Sequence, residues 1–378
     1  MTTVDVPVAA EVVAATGGRS PAPLRIGIIG GGFMARVHTV AARASGAVVV
    51  AIASASPESA RRAATDLAIE TAHESAADLI ADPTIDVVHV CTPNASHAGY
   101  ALAAIRAGKH VVCEKPLATS FEDADELARA AVETGLVGAV PFIYRYHPMV
   151  REARARIAAG QIGRVLSIRG SYLQDWLLSG DDIDWRTSSA TGGPSRAFAD
   201  IGSHLVDLVE FVTGEGISRL TAIARTVHER RGGEPVDTED EAAVLFETDS
   251  GAIGTLFVSQ VSPGRKNALV IDIAGTSESF EFHQETPDVL WVGRRRGTEV
   301  VVRDTDVLSP DAARLSTVPA GHPMGYTDAF AAFVSDAYDA VRGGTPDGLP
   351  TFEDGVRAVL VTEAVLISAV DGDWVEVA

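Results

Sequence analysis

The sequence predicts an α/β protein of two units: a doubly wound parallel sheet, then an α+β domain with a large open mixed or antiparallel sheet. Three observations carry this. A glycine-rich turn near residue 30 joins a short apolar run to a helical pattern. Runs apolar on both faces then alternate with helices to about residue 146, the pattern of strands covered on each side. Between 220 and 292, strand patterns succeed one another with little helix between them.

In order, Leu24–Ile29 reads as a strand, Phe33–Ala44 as a helix, and Ala47–Ala53 as a strand. Ser56-Pro57-Glu58 opens a further helix with an N-cap and a first-turn proline. Val87–Cys91 (strand), Ser96–Ala107 (helix) and His110–Glu114 (strand) continue the alternation. The helix Phe121–Thr134 has Ser120 and Asp123 as a capping box, Gly135 past its end, and an apolar stripe at Ala124, Leu127, Ala128 and Ala131. Val137–Phe142 is expected as the last strand of this unit. A boundary near 147 gives a first domain over 24–146 and a second over 147–378. The second holds a helix at Met149–Ala159, a strand at Val165–Leu173, a glycine-rich stretch at Ser179–Pro194 and a helix from about Asp200 to Thr213. Strands follow at Leu220–Val227, Ala242–Glu247, Ile253–Ser259, Ala268–Ala274, Ser279–Phe282 and Val289–Val292, then helices at Thr327–Val341 and Phe352–Ala369.

The 378 residues suffice for about two domains. With 31 Lys and Arg against 51 Asp and Glu the net charge is −20, which repels phosphate backbones and anionic lipid. Neither a nucleic acid nor a membrane is an expected partner, and no apolar run approaches the ~20 residues of a membrane span. Two cysteines, Cys91 and Cys113, imply no disulfide framework and suit the cytoplasm. In residues 1–23, Pro7 and Glu11 interrupt the apolar stretch and Asp5 stands where a secretory signal carries positive charge. A flexible extension, or an arm on a neighbouring subunit, is expected there.

Gly30-Gly31-Gly32-Phe33-Met34-Ala35 follows a strand and opens a helix, as a dinucleotide loop must. Gly30 permits the turn, Gly32 lets a pyrophosphate approach the backbone, and the helix N-terminus offers free N–H groups. The second strand ends in Ser54-Ala55-Ser56, without the acid that binds the NAD ribose. Ser54 and Ser56, with Arg61 or Arg62 nearby, favour a 2′-phosphate and hence NADP over NAD; alternatively the serines only cap the next helix.

Cys113-Glu114-Lys115-Pro116 ends a strand at the carboxyl edge of the sheet, where a lysine can stabilise an alkoxide. Together with Gly30-x-Gly32, Cys91-Thr92-Pro93-Asn94-x-x-His97, Ala107-Gly108-Lys109-His110-Val111 and Asp200-x-x-x-His204, it resembles the glucose–fructose oxidoreductase/inositol dehydrogenase (Gfo/Idh/MocA) family. The resemblance runs from Leu24 to the end of the chain. It implies a Rossmann domain, a C-terminal domain whose open sheet mediates homo-oligomers (dimers or tetramers), and a nicotinamide cofactor between them. It further implies a cis Lys115–Pro116 peptide, cofactor contacts from Thr92, Pro93, Asn94 and His97, Glu114 on the nicotinamide side, and Trp185-Arg186 against the cofactor.

Asp200 and His204, at i and i+4, share one helix face, which Asp207 and Phe211 continue; Leu205, Leu208, Val209 and Val212 form a separate core stripe. Histidine suits removal of a hydroxyl proton as hydride leaves. The expected set is His204 as base, Asp200 as its partner and Lys115 as electrostatic helper. Tyr144 and Arg145, after the last strand of the first domain, and Tyr172, Gln174 and Trp176, at the end of Val165–Leu173, supply aromatic faces and polar groups for a sugar. Tyr172-Leu173-Gln174-Asp175-Trp176 is similar to family members acting on glycosides, such as those of the levoglucosan dehydrogenase type, which implies the 3-hydroxyl of a pyranose. The residues therefore point to an NAD(P)-dependent sugar or polyol dehydrogenase without a metal. A keto-sugar reductase using NADPH, a non-catalytic nucleotide-sensing regulator and a coupled transferase with a permanently held cofactor stay open.

Overall fold

The computed structural model describes residues 22–377, so nearly all of the expected N-terminal extension lies outside the described residues. Six parallel strands form the first sheet: β1 (Arg25–Ile29), β2 (Val48–Ala53), β3 (Thr71–Ala72), β4 (Val87–Val90), β5 (His110–Cys113) and β6 (Gly138–Ala139). Their order is β3-β2-β1-β4-β5-β6. Helices α1 (Phe33–Ala44), α2 (Pro57–Leu67), α3 (Ala76–Ala81), α4 (His97–Arg106) and α5 (Phe121–Thr134) connect them. The order reverses at β1 and β4, so a crevice opens past their carboxyl ends.

The last strand of this sheet is shorter than the expected Val137–Phe142. The space beside Gly138 is filled by the Phe352 ring, and the Val140 N–H donates to the Pro350 carbonyl rather than to a strand. A short helical turn at Ile143–Tyr146 then leads into α6 (Pro148–Ala158).

The second sheet contains β7 (Val165–Leu173), β8 (Ile217–Arg225), β11 (Glu241–Thr248), β12 (Ile253–Ser259), β13 (Ala268–Gly275), β14 (Ser279–His283), β15 (Val289–Arg294), β16 (Gly297–Val302) and β17 (Val375–Glu376). Between β8 and β11, β9 (Arg230–Arg231) and β10 (Glu234–Pro235) pair only with each other. The order is β16-β15-β14-β13-β7-β12-β11-β8-β17, antiparallel except where β7 meets β12. One face carries α6, α8 (Ser203–Thr213) and α11 (Phe352–Asp371); α7 (Ser189–Gly192) and α9 (Pro310–Arg314) are short. The other face is open. Two C-terminal helices return to the first unit: α10 (Tyr326–Val341) packs on α1, and α11 lies between α5 and β8.

The helix expected from Asp200 is not uniform. Phe198–Gly202 winds as a π-turn, and the α-helix begins only at Ser203. Leu205, Leu208, Val209 and Val212 are buried. The wider turn rotates the later residues relative to Asp200, so Asp207 and Phe211 leave the face they were expected to share with it.

A buried carboxylate organises the approach to the crevice. Asp240 accepts from Arg196 Nη2 at 2.5 Å and Arg231 Nη2 at 2.7 Å, all three residues being almost fully buried. Arg231 also donates to the Leu177 and Ser179 carbonyls, anchoring the segment that leads to Trp185. Asp240→Ala strands two guanidiniums in the interior and is expected to lower stability by about 3–5 kcal/mol, read from a denaturant-unfolding midpoint.

Candidate active site

A cleft of about 850 Å3 opens at the carboxyl edge of the first sheet and extends to the second. Its first wall is the glycine loop. Gly30 has φ +119°, and a Cβ there would lie 2.3 Å from the Cys91 carbonyl. At Gly32, by contrast, a Cβ would meet nothing within 4 Å: the loop turns an open cradle to the cleft. Gly32 caps α1 without a side-chain bond, and the first turn holds no acid, so its N–H groups remain for an anion. Phe33 is 72% exposed at the cleft mouth beside Met34, an apolar surface a ligand would cover. These features fit a dinucleotide.

Thr92, Pro93, Asn94 and His97 line the next stretch, with Trp185 and Arg186 opposite. Asn94 donates to the Gly192 carbonyl at 2.9 Å, joining the two sides. His97 is buried, with each ring nitrogen 2.8 Å from a carbonyl oxygen, those of Pro116 and Thr92. Burial lowers its pKa while the carbonyls favour the protonated ring. Its polar atoms are thus spent on the backbone, fixing the loop rather than a ligand.

At the end of β5 the Lys115–Pro116 peptide is cis. Lys115 Nζ donates to Asp200 Oδ1 at 2.6 Å and to the Asp200 carbonyl at 3.0 Å. Gln260 Nε2 donates to Asp200 Oδ2 at 2.8 Å, and Arg186 Nε stands 3.6 Å from Oδ1. Burial pushes the Asp200 carboxyl up, but Lys115 and Arg186 outweigh it and bring it to about 2. His204 lines the same cleft. Contrary to expectation, Asp200 makes no hydrogen bond to it: the carboxylate is taken by Lys115 and Gln260, and His204 Nδ1 is buried without a partner. Aromatic rings orient the imidazole instead, with Tyr144 at 4.9 Å and Phe142 at 5.8 Å between centroids. Burial and then the Lys115 charge lower the His204 pKa to about 3, against the pull of Asp200. The ring is neutral at pH 7.

The far wall is a closed polar ring. Tyr144 Oη lies 2.5 Å from Tyr172 Oη, Tyr172 donates to Asn267 Oδ1 at 2.6 Å, and Asn267 Nδ2 donates to Tyr144 at 3.2 Å. Gln174 Nε2 joins at Asn267 Oδ1, 3.0 Å away. Asn267, Gln260 and Phe330 had no signal in the sequence that set them apart; tertiary structure alone brings them here.

Five expected residues do not line the cleft. Arg145 is buried in a bidentate pair with Asp207 and a further bond to Asp354, facing a separate hollow. Trp176 stands behind the cleft residues, donating to Gln174 Oε1 at 2.7 Å with the Arg186 guanidinium 5.9 Å from its ring. Ser56 is consumed by the capping box of α2, bonding Ser59 through its backbone N–H and side chain. Arg61 pairs with Glu58 and Glu74, and Arg62 lies with it in a surface hollow. Ser54 does line the cleft. Among the described residues, no group of three His, Cys, Asp or Glu is placed to hold a metal, and no helix is long and apolar enough to cross a membrane.

Residues 24–142 match the family described as oxidoreductase family, NAD-binding Rossmann fold, and residues 150–281 match the GFO/IDH/MocA C-terminal domain. The chain is 35% identical to levoglucosan dehydrogenase of Pseudarthrobacter phenanthrenivorans, over 94% of this chain and 98% of that one. It is 32% identical to 1,5-anhydro-D-fructose reductase of Ensifer adhaerens, over 93% and 98%. The solved structure of levoglucosan dehydrogenase in complex with NADH and levoglucosan superimposes with a TM-score of 0.88 at 33% identity, covering 94% of this chain and all of that one.

Burial also lowers the His147 pKa, to about 4. Histidines released on unfolding take up protons below their ordinary 6.5, whereas His147 and His204 resist until about 4 and 3. The unfolded chain then binds more protons, so stability is expected to fall as pH drops below 6.5. Replacing His204 by Gln should flatten that slope between pH 6 and 4 by up to about 1.4 kcal/mol per pH unit, one proton's worth, measured by denaturant unfolding across pH.

Proposed function

As the chain belongs to the Gfo/Idh/MocA oxidoreductase family, we propose that it is an NAD(H)-dependent dehydrogenase oxidising a ring secondary hydroxyl of an uncharged sugar, glycoside or cyclic polyol. One observation carries this reading: a single cleft joins an open glycine cradle to Lys115, Asp200 and a neutral His204. The nicotinamide, when bound, supplies the hydride acceptor.

The chain's own residues do the rest. Gly30, Gly32 and the first turn of α1 hold the pyrophosphate, and Phe33, Met34 and Ser54 border its adenosine half. Thr92, Pro93, Asn94, Trp185 and Arg186 enclose the nicotinamide half, with His97 setting the loop. Lys115 has two protons engaged by Asp200; the third is free for the substrate oxygen, where the ammonium stabilises alkoxide charge. His204 accepts the hydroxyl proton, and the nearby Asp200 charge favours the imidazolium once formed. Tyr144, Tyr172, Gln174 and Asn267 meet the hydroxyls.

The substrate is read as uncharged because Lys115 and Arg186, the cations at this end, are engaged by Asp200 and Asp184. NAD(H) is preferred to the NADP suggested by the serines because Ser56 is spent on a cap and Arg61 on two glutamates. The relative that reduces 1,5-anhydro-D-fructose supports a second reading as a keto-sugar reductase; a His204 neutral at pH 7 favours the oxidative direction. Two free, buried or half-buried thiols suit a reducing compartment. The open sheet face, where Ile223 (74% exposed), Leu245, Phe257 and Trp291 stand out, suits a second copy of the chain, so a homo-oligomer is proposed.

With a panel of sugars, glycosides and inositols, NAD reduction is expected with unphosphorylated substrates, and NADP at least about tenfold poorer in kcat/KM. His204→Ala and Lys115→Met should each lower kcat by about 10²–10⁴-fold. Near-parental turnover in either variant would remove the mechanism.

A further inference from the structure

A buried hydrogen-bond chain runs from the cleft into the first domain. Glu114, immediately before Lys115, lines the same cleft as the glycine loop and His204. His38 Nε2 lies 2.9 Å from Glu114 Oε1, His38 Nδ1 2.8 Å from His89 Nδ1, and His89 Nε2 3.0 Å from Tyr338 Oη. His38, His89 and Tyr338 have no exposed surface, and Phe330 of the cleft wall packs on His38 at 4.8 Å.

The contacts allow one consistent arrangement of protons. Each gap between two acceptor-capable atoms needs a single hydrogen. With Tyr338 as the terminal donor, its O–H donates to His89 Nε2, His89 Nδ1–H donates to His38 Nδ1, and His38 Nε2–H donates to Glu114. Both imidazoles are then neutral and every N–H and O–H is used. The reverse polarity requires a protonated Glu114 and leaves the Tyr338 O–H without an acceptor among the described residues. Burial raises the Glu114 pKa, but the hydrogen bond from His38 and the nearby Lys115 charge overcome it and leave it lowered. Glu114 Oε2 takes no hydrogen bond among the described residues.

We propose that His38, His89 and Tyr338 are positioning residues that hold Glu114 as a carboxylate in the cleft, where its charge favours the cationic, oxidised nicotinamide over the neutral, reduced ring. This rests on the nicotinamide reading of the cleft: the ring must lie between the glycine cradle and His204, the stretch Glu114 borders. Its far end at Tyr338 has no exposed surface, so the chain fixes a charge at the cleft and leads no proton through the first domain to solvent.

The test is the ratio of dissociation constants for NAD+ and NADH, measured by titration calorimetry on the full chain, with melting curves to verify folding. Glu114→Gln and His38→Leu are expected to weaken NAD+ relative to NADH by about tenfold. Tyr338→Phe, which removes only the terminal hydroxyl, should shift the ratio in the same direction. His38→Gln should stay near the parent, because its amide oxygen and nitrogen can replace the two ring nitrogens. Unchanged ratios in folded Glu114→Gln and Tyr338→Phe would overturn the proposal, even if His38→Leu failed to fold. His38→Gln as impaired as His38→Leu would overturn the claim that residue 38 acts through its two hydrogen bonds. A parent protein that binds neither nucleotide overturns the cleft reading itself, whereas binding with unmoved ratios overturns this inference alone.

Discussion

The Lys115–Asp200 pair joins the two halves of the molecule at the point where chemistry would occur. Lys115 stands at the end of a strand of the first sheet, Asp200 on a π-turn that introduces a helix of the second domain. A buried ion pair alone is costly, since both partners leave water. Here the cost is offset by completeness: Asp200 receives Lys115, Gln260 and the nearby Arg186, and Lys115 gains a carbonyl as well. The π-turn belongs to the same constraint, because it sets Asp200 apart from the regular helix that carries His204. With the carboxylate taken by Lys115 and Gln260, burial and then the Lys115 charge keep His204 uncharged against the pull of Asp200.

Polar groups in the cleft are largely spoken for by one another. Tyr144, Tyr172 and Asn267 close a ring, Asp200 answers Lys115, and Asp184 answers Arg186. A cleft with internally balanced charge discriminates by shape and hydroxyl geometry instead of by net attraction. That is notable in a chain of net charge −20: most of the excess acid lies elsewhere, and of the cleft's carboxylates Asp184 and Asp200 are matched by cations while Glu114 is held by His38.

Most of the fold was legible because local signals and burial agree. Helix Phe121–Thr134 has its cap, its apolar stripe and its terminal glycine in one place, and β7 ends where the alternation ends. Lys115, Asp200 and His204 were legible as chemistry, since each type stands at a position where a cleft forms. Some of what failed did so locally, as where Ser59 takes Ser56 and Gln174 takes Trp176; the rest failed through tertiary pairing. Arg145 looked available until Asp207 and Asp354, many residues away, neutralised it. Asp200 looked like a partner for His204 because four-residue spacing assumes an α-helix, and a π-turn has no sequence mark. Asn267 and Gln260 are ordinary amides whose significance depends on what faces them. His38 and His89 lie in separate elements, and only the packing of α1 on β4 makes them neighbours.

The contact between Phe352 and Gly138 bears on how the protein is made. The ring that completes the edge of the first sheet arrives more than two hundred residues later in the chain, on the helix that also clasps the second sheet. Closing so distant a contact is slow, and during synthesis it waits for the helix that carries Phe352 to emerge. The first sheet therefore leaves the ribosome with its last strand unsecured, and acquires its finished edge only after more than two hundred further residues have been added.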